Sequence, residues 1–281
     1  MTYFSPTRLA AADIAVTPAG SATSEPMPAA CFAAGSRRIA PELRPSIAAY
    51  YRFAAYARRM ADRSAPAPDD GRRHLGQLDA VLSGQATPDA SDPGHALAAA
   101  VRADFMSRHL PLEHARHLLQ AYAADIADRP CRSWSDLLAY CRYAAAPMGR
   151  FVLDLHGEDR AAWPAAEALC AAMTIVAQVR DGRAARPHHL PQDWMAEAGG
   201  ALPPVLTRLL GGVDRLHEAA APLPRQIRAR GLRMEAARSL ALSQRLAKRL
   251  RRRGPKAGDV ELSRLDRIYA TFAALRFAWR R

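Results

Sequence analysis

Residues 140–157 read YCRYAAAPMGRFVLDLHG, and this stretch carries the strongest indication of the fold. Its apolar residues recur at helical spacing, but Pro147 and Gly149 interrupt them. Proline removes a backbone donor and clashes with the preceding turn, so the two residues are expected to loosen or kink the helix. An interruption of this kind is typical of a helix that lines a cavity.

The chain from Pro41 onward has the composition of helices. Alanine, leucine, arginine and glutamate dominate, valine and isoleucine are scarce, and apolar positions recur every three or four residues. Clusters of proline, glycine and aspartate break the pattern at 63–71, 85–94, 157–164, 183–191, 199–204 and 251–259. These breaks predict about eight to ten helices in an all-α fold.

The N-terminal region differs from the rest of the chain. Residues 1–34 are rich in Ala, Ser, Thr and Pro without apolar periodicity, so they bury too little surface to offset their ordering entropy. We predict a flexible tail at 1–34 and a single domain at 35–281. The N-terminus lacks a secretory pattern, and the four scattered cysteines lack CxxC spacing. Both features favour a cytoplasmic protein.

The chain is strongly basic. Its 281 residues include 40 Lys and Arg against 27 Asp and Glu, a net charge of +13, which favours anionic partners. Apolar residues make up 49% and the mean hydropathy is −0.21, which excludes a disordered chain and a polytopic membrane protein. The most apolar stretch, 161–179, is interrupted by Pro164, Glu167 and Gln178, so we predict a buried helix there.

Two basic segments lie near the C-terminus. Residues 244–256 read QRLAKRLRRRGPK and suit either peripheral contact with an anionic membrane, such as the inner face of the cell membrane, or a solvated helix end. Nucleic-acid binding is not expected, because no recognition motif or aromatic platform accompanies the charge. The last helix is predicted to pack its apolar face on the bundle with its basic residues outward; that face holds Leu262, Leu265, Ile268, Phe272, Leu275 and Trp279.

Together with PELRPSIAAYYRFAAYARRMAD at 41–62 and HHLPQDW at 188–194, the stretch at 140–157 resembles the squalene/phytoene synthase family, in particular its bacterial branch that makes hydroxysqualene for hopanoids. The resemblance extends from Phe32 to the C-terminus. It implies an all-α isoprenoid synthase helical bundle around a central cavity, which condenses two farnesyl-type diphosphates head to head. Aspartate-rich helices in that family hold Mg²⁺, which binds the diphosphate and drives its ionisation.

The chain departs from that family at its first metal motif. The usual DDxxDE pattern falls on RRMADR at 58–63, so Arg58 and Arg59 replace acids and Asp62 remains. Neighbouring arginines repel Mg²⁺ and compete for carboxylate oxygens. Guanidinium groups bind phosphate oxygens as bidentate donors, so Arg58 and Arg59 are candidate diphosphate contacts. The alternative is an ordinary solvated helix face.

The second metal motif is also altered. The usual NxxQDxxxD pattern falls on TIVAQVRDG at 174–182, where no metal ligand is in register and Asp181 lies one residue away. Asp62 and Asp181 are therefore the candidate metal ligands. Asp62 also stays a catalytic candidate.

Other positions match the family. The segment FAAGSRRIAP from Phe32 matches its Ser-Arg entry to the first helix, so the resemblance implies that Ser36 and Arg37 contact diphosphate. Tyr140 matches a tyrosine whose ring or hydroxyl stabilises the cation, and Asp125 matches an acid. These two are catalytic candidates, although a tyrosine on an apolar helix is also a common core residue.

The histidines form a competing candidate site. His109, His114 and His117 lie close in sequence, and His188 precedes His189. Zinc needs three or four convergent ligands, and this pattern has no recognised spacing. We predict surface or helix-end roles for them.

Two functional hypotheses follow. In the first, the protein binds a prenyl diphosphate such as farnesyl diphosphate, or a paralogous synthase, and head-to-head condensation is lost or impaired. Binding in this case needs no Mg²⁺. In the second, it is a working Mg²⁺-dependent prenyltransferase in which Asp62, Asp125 and Asp181 suffice, or in which arginines stabilise the leaving group. The lost carboxylates favour the first, because leaving-group stabilisation removes several kcal/mol of barrier.

Overall fold

The computed structural model describes residues 33, 35–61, 68–180, 189–253 and 260–278, apart from the side chains of Pro68 and Arg253. Within these ranges the chain forms α-helices and one 3-10 turn and contains no strand, so the all-α prediction is confirmed. The helices are α1 (Arg44–Met60), α2 (Pro68–Ser83), α3 (Pro93–Ser107), α4 (Glu113–Ile126), α5 (Trp134–Ala144), α6 (Ala146–Leu155), α7 (Trp163–Arg180), α8 (Gln192–Glu197), α9 (Leu202–Ala220), α10 (Leu223–Gln226), α11 (Arg230–Arg253) and α12 (Arg264–Leu275).

The twelve helices of the described ranges exceed the predicted number. The excess comes from the short helices α8 and α10 and from the division of 134–155 into α5 and α6. The predicted tail at 1–34 lies outside the described residues except for Ala33, which is buried against the hydrophobic core.

Local caps explain several helix starts. Asp92 accepts hydrogen bonds from the backbone N–H groups at the start of α3, and Pro93 follows at a position where its missing N–H costs nothing. Ser133 caps α5 in the same way. Ser263 and Asp266 form a reciprocal capping box at the start of α12. These polar residues satisfy backbone donors that a helix start leaves without intrahelical partners.

Helix α7 lies at the centre of the bundle. It packs against α6, α9 and α11, and most of its residues are buried. The helix at 160–180 is long and apolar enough to cross a membrane by length and composition. However, 72% of its most apolar 18-residue segment is buried inside the protein. The predicted buried helix at 161–179 is therefore confirmed.

The helix in 140–157 is interrupted at Ala145, before the predicted Pro147 and Gly149, and Ala145 separates α5 from α6 with a φ of −127° and a ψ of −48°. Pro147 falls in the first turn of α6, where proline is tolerated. A Cβ atom on Gly149 would lie 2.8 Å from Sγ of Cys170 on α7. Glycine at this position therefore allows α6 and α7 to approach closely.

The predicted orientation of the last helix is wrong. Its inner face consists of Asp266, Ala270 and Ala274, whereas Leu265 is 76% exposed and Phe272 is 64% exposed. Small alanine side chains allow α12 to approach α11 closely, and this contact decides which face is buried. Leu262 alone of the predicted face packs against the core, and Trp279 lies outside the described residues.

Candidate functional site

A polar network joins α4, α5 and the segment before α8. Asp125 lies in the last turn of α4, and Tyr140 lies in α5, which packs against α4. The Tyr140 hydroxyl donates a hydrogen bond to Oδ2 of Asp125 at 3.0 Å. Nε2 of His189 lies 3.1 Å from Oδ1 of the same carboxylate, and the Tyr140 and His189 ring centroids are 4.8 Å apart. We call Asp125, Tyr140 and His189 the Asp125 network.

Arg58 brings a positive charge to this network. It lies in the last turn of α1, and its guanidinium carbon is 5.7 Å from the centroid of the Tyr122 ring. Burial favours a lower pKa for Arg58, but the oxygens of Tyr140, Tyr122 and Asp125 outweigh it and raise the pKa above its usual value. Arg58 therefore stays charged beside the Asp125 network.

Arg58 and Tyr140 are both half-buried in the structure. Burial, followed by the charge of Asp125, raises the pKa of Tyr140 well above 10, so Tyr140 remains a protonated donor.

The two neighbouring arginines of α1 diverge. Successive helical residues are about 100° apart around the axis, so Arg58 and Arg59 project in different directions. Arg59 is exposed, and its guanidinium carbon lies 5.6 Å from the Tyr56 ring centroid. Arg58 therefore carries its charge beside Asp125 and Tyr140, and Arg59 lies against Tyr56.

Ser36, at the entry to α1, contacts a buried ion cluster on α11. The Ser36 hydroxyl donates to Oε2 of Glu235 at 2.8 Å, and Glu235 is a buried α11 residue that also pairs with Arg38 and Arg238. The Arg37 side chain is exposed. Contact of Ser36 and Arg37 with diphosphate stays a prediction.

The residues described by the structure do not fit a Mg²⁺ site. Nowhere among them do three His, Cys, Asp or Glu side chains converge as a metal would require. Where the family pattern has acids, the described positions hold guanidinium groups and the buried amide of Gln178. Asp62 and Asp181, the two candidate metal ligands, lie outside the described residues.

Two of the candidate histidines are buried, so a surface role is wrong for them, although His114 does lie in the first turn of α4. His114 is buried, and its Nε2 lies 2.9 Å from Oδ2 of Asp154, whose other oxygen accepts from the Trp163 indole at 3.2 Å. This contact ties α4 to α6 and α7. His189 is buried in the Asp125 network. His188 lies outside the described residues.

Sequence reasoning missed His189 as a site residue. The available signal was the His188-His189 pair, which stands where the family has aliphatic and aromatic residues before Leu190-Pro191. A polar side chain at an apolar position needs a hydrogen-bond partner when it is buried. Asp125, 64 residues earlier in the chain, is that partner.

Comparison with known proteins identifies the family. The sequence profile of squalene/phytoene synthase matches residues 29–266 of this chain. The chain belongs to the squalene/phytoene synthase family. Hydroxysqualene synthases from Sinorhizobium fredii and Rhodopseudomonas palustris are each 30% identical to this family member, over 84% and 87% of both chains. The hydroxysqualene synthase of Zymomonas mobilis is 33% identical, over 72% of this chain and 65% of its own.

Two solved structures share the fold of this squalene/phytoene synthase family member. A crystal structure of a squalene synthase from Alicyclobacillus acidocaldarius has a TM-score of 0.64 at 19% identity and covers 77% of this chain and 86% of its own. A dehydrosqualene synthase in complex with ligand has a TM-score of 0.66 at 17% identity, covering 85% and 88%. The all-α isoprenoid synthase fold and the resemblance to the hopanoid branch are both confirmed.

Proposed function

We propose that this family member binds a prenyl diphosphate, such as farnesyl diphosphate, and that Mg²⁺-driven head-to-head condensation is lost or strongly impaired. The supporting observation is the position of Arg58. A permanently charged guanidinium lies beside Asp125 and Tyr140 at a position where the family motif has a metal-binding acid. Arg58 would contact the diphosphate directly, as a bidentate donor to its oxygens.

The same exchange of charge argues against efficient ionisation of the substrate. Mg²⁺ stabilises a leaving diphosphate by several kcal/mol, and Arg58 and Arg59 stand where the first family motif has acids to bind it. A guanidinium carries one positive charge and does not coordinate the diphosphate oxygens as a metal ion does. We therefore expect the protein to bind the diphosphate without turning it over. Within hopanoid synthesis, such a cytoplasmic protein would act beside a paralogous synthase that retains its acids.

A second function, an active head-to-head prenyltransferase, is favoured by the Asp125 network itself. The Tyr140 ring and hydroxyl would stabilise a carbocation, and the His189–Asp125 pair would hold or accept a proton. Asp62 and Asp181 would then have to supply the metal ligands.

One experiment separates the two functions. Purified protein is incubated with farnesyl diphosphate in Mg²⁺ or in EDTA, and both thermal stabilisation and pyrophosphate release are measured. Farnesol, which lacks the diphosphate, is the ligand control. We expect stabilisation by farnesyl diphosphate in EDTA, no stabilisation by farnesol, and no measurable pyrophosphate release.

Arg58→Gln and Arg59→Gln form a matched pair for this assay, because they are adjacent and Arg58 lies beside Asp125 whereas Arg59 lies against Tyr56. Arg58→Gln is expected to weaken farnesyl diphosphate binding by about tenfold or more, and Arg59→Gln to change it little. Pyrophosphate release that needs Mg²⁺ and is abolished by Asp62→Ala would establish the active enzyme instead. Absence of both thermal stabilisation and pyrophosphate release would instead favour a paralogous synthase as the binding partner.

A further inference from the structure

Helix α12 presents an apolar stripe to solvent. Its members are all exposed and share one face of the helix, opposite the alanines that pack on α11. We call these residues the α12 stripe: Leu265, Ile268, Tyr269, Phe272 and Leu275. A helix in a globular protein normally buries its large apolar side chains, so an exposed row of five marks an interaction surface.

Basic residues border the α12 stripe on both sides. Arg264 and Arg267, both exposed, follow one edge of α12. On the other edge, the guanidinium carbon of Arg245 from α11 lies 3.8 Å from the centroid of the Tyr269 ring. The stripe is therefore a row of large apolar side chains between two rows of cations.

A cationic cleft lies between α11 and α12 beside the stripe. It has a volume of about 330 Å³ and is lined by four basic side chains and one acid: Arg245, Lys248, Arg249, Arg252 and Asp266. Arg249 pairs with Asp266 at 2.6 Å, which leaves the cleft with an excess of three positive charges. This cleft is large and basic enough for a phosphate group.

We propose that the α12 stripe and the cationic cleft dock this protein on an anionic lipid bilayer. The stripe enters the boundary between headgroups and acyl chains, and the basic residues beside it contact lipid phosphates. An amphipathic helix with apolar residues on one face and arginines along its borders has this mode of binding. Charge complementarity selects lipid over a second copy, because two chains of net charge +13 joined through α12 would bring their arginine borders together.

The proposal is tested by co-sedimentation with vesicles and needs no prenyl diphosphate. Vesicles of phosphatidylcholine alone are compared with vesicles containing equal amounts of phosphatidylcholine and phosphatidylglycerol. Wild type is expected to bind the mixed vesicles, to release them as salt is raised, and to bind phosphatidylcholine alone at least about tenfold more weakly.

Two variants and two matched controls locate the surface. Leu265→Ser/Phe272→Ser removes the centre of the stripe, and Lys248→Glu/Arg252→Glu reverses exposed charge at the cleft; each is expected to lower vesicle binding about tenfold or more. The controls change exposed residues elsewhere and are expected to bind as wild type: Met106→Ser/Tyr143→Ser and Arg52→Glu/Arg215→Glu.

Several results would overturn the proposal. These are absence of binding to mixed vesicles, unchanged binding by either surface variant, and equal weakening by the control pairs, which would indicate charge attraction without a defined surface.

Light scattering in the absence of lipid tests whether the stripe instead binds a second copy of the chain. A wild-type dimer that Leu265→Ser/Phe272→Ser converts to a monomer would assign the stripe to a second copy of the chain. Circular dichroism checks that each variant keeps the wild-type Tm.

Discussion

Tyr140 on α5 donates its hydroxyl to Asp125 on α4 at 3.0 Å, and the same carboxylate contacts His189 through its other oxygen at 3.1 Å. One acid therefore holds two polar side chains from separate parts of the chain. It also lies close enough to Arg58 to raise the pKa of the guanidinium. The contact between Tyr140 and Asp125 is thus the centre of the candidate site.

Tyr140→Phe is expected to lower the free energy of unfolding by about 1 kcal/mol, because it removes one hydrogen bond and keeps the ring beside His189. Asp125→Ala is expected to cost about 1–3 kcal/mol, because Tyr140 and His189 both lose their acceptor. Urea denaturation measures both. The double variant Tyr140→Phe/Asp125→Ala should lose less stability than the sum of the losses of the two single variants. Strict additivity would contradict the coupling.

Gly149→Ala tests the close approach of α6 and α7. The new Cβ would lie 2.8 Å from Sγ of Cys170, so the variant is expected to lose about 1–3 kcal/mol of stability in urea denaturation. Adding Cys170→Ala removes the clashing sulfur and should restore most of that loss.

Gly211→Ala is the matched control for this prediction. Gly211 lies inside α9, and nothing lies within 4 Å of the position its Cβ would take. Because alanine favours a helix interior, this variant should gain up to about 1 kcal/mol. Equal effects at Gly149 and Gly211 would contradict the packing argument.

His217 is expected to make stability depend on pH. It is buried, with Nε2 2.8 Å from Oγ of Ser243, and burial lowers its pKa from 6.5 to about 4. Between pH 6.5 and about 4, His217 is therefore protonated in the unfolded chain and neutral in the folded chain. Stability contributed by neutral His217 is present above pH 6.5 and is lost as the pH falls towards 4, by about 3 kcal/mol in total.

Urea denaturation between pH 5 and 7 tests this sign. Wild type should lose stability on acidification, and His217→Gln should lose less over the same range. His109→Asn, at an exposed position, is the control and should follow wild type. A variant His217→Gln with the wild-type pH slope would exclude His217 as the source.

Much of the fold was predictable from the residues because helical periodicity is local. Breaks at proline, glycine and aspartate clusters separate most of the helices, and the 140–157 stretch contains an interruption, at Ala145, just before the predicted Pro147. Short helices escaped prediction because four to six residues carry too little periodicity to detect.

The candidate site was predictable in part. Asp125 and Tyr140 were both expected there, and the structure brings them into contact. His189 was missed because its partner is 64 residues away in the chain, and sequence spacing says nothing about such a pair. The hydrogen bond of Ser36 to Glu235, a residue 199 positions later, was not predictable for the same reason.

By itself, the sequence determined the all-α class, the family resemblance, the replacement of acids by Arg58 and Arg59, and the shared face of the α12 apolar residues. Each of these depends on residue identity or on spacing of three or four positions. Tertiary structure alone decided that Arg58 lies beside Asp125 and that α12 packs through its alanines. A helix contains two or more faces that can pack, and only contacts between distant segments determine which one is buried.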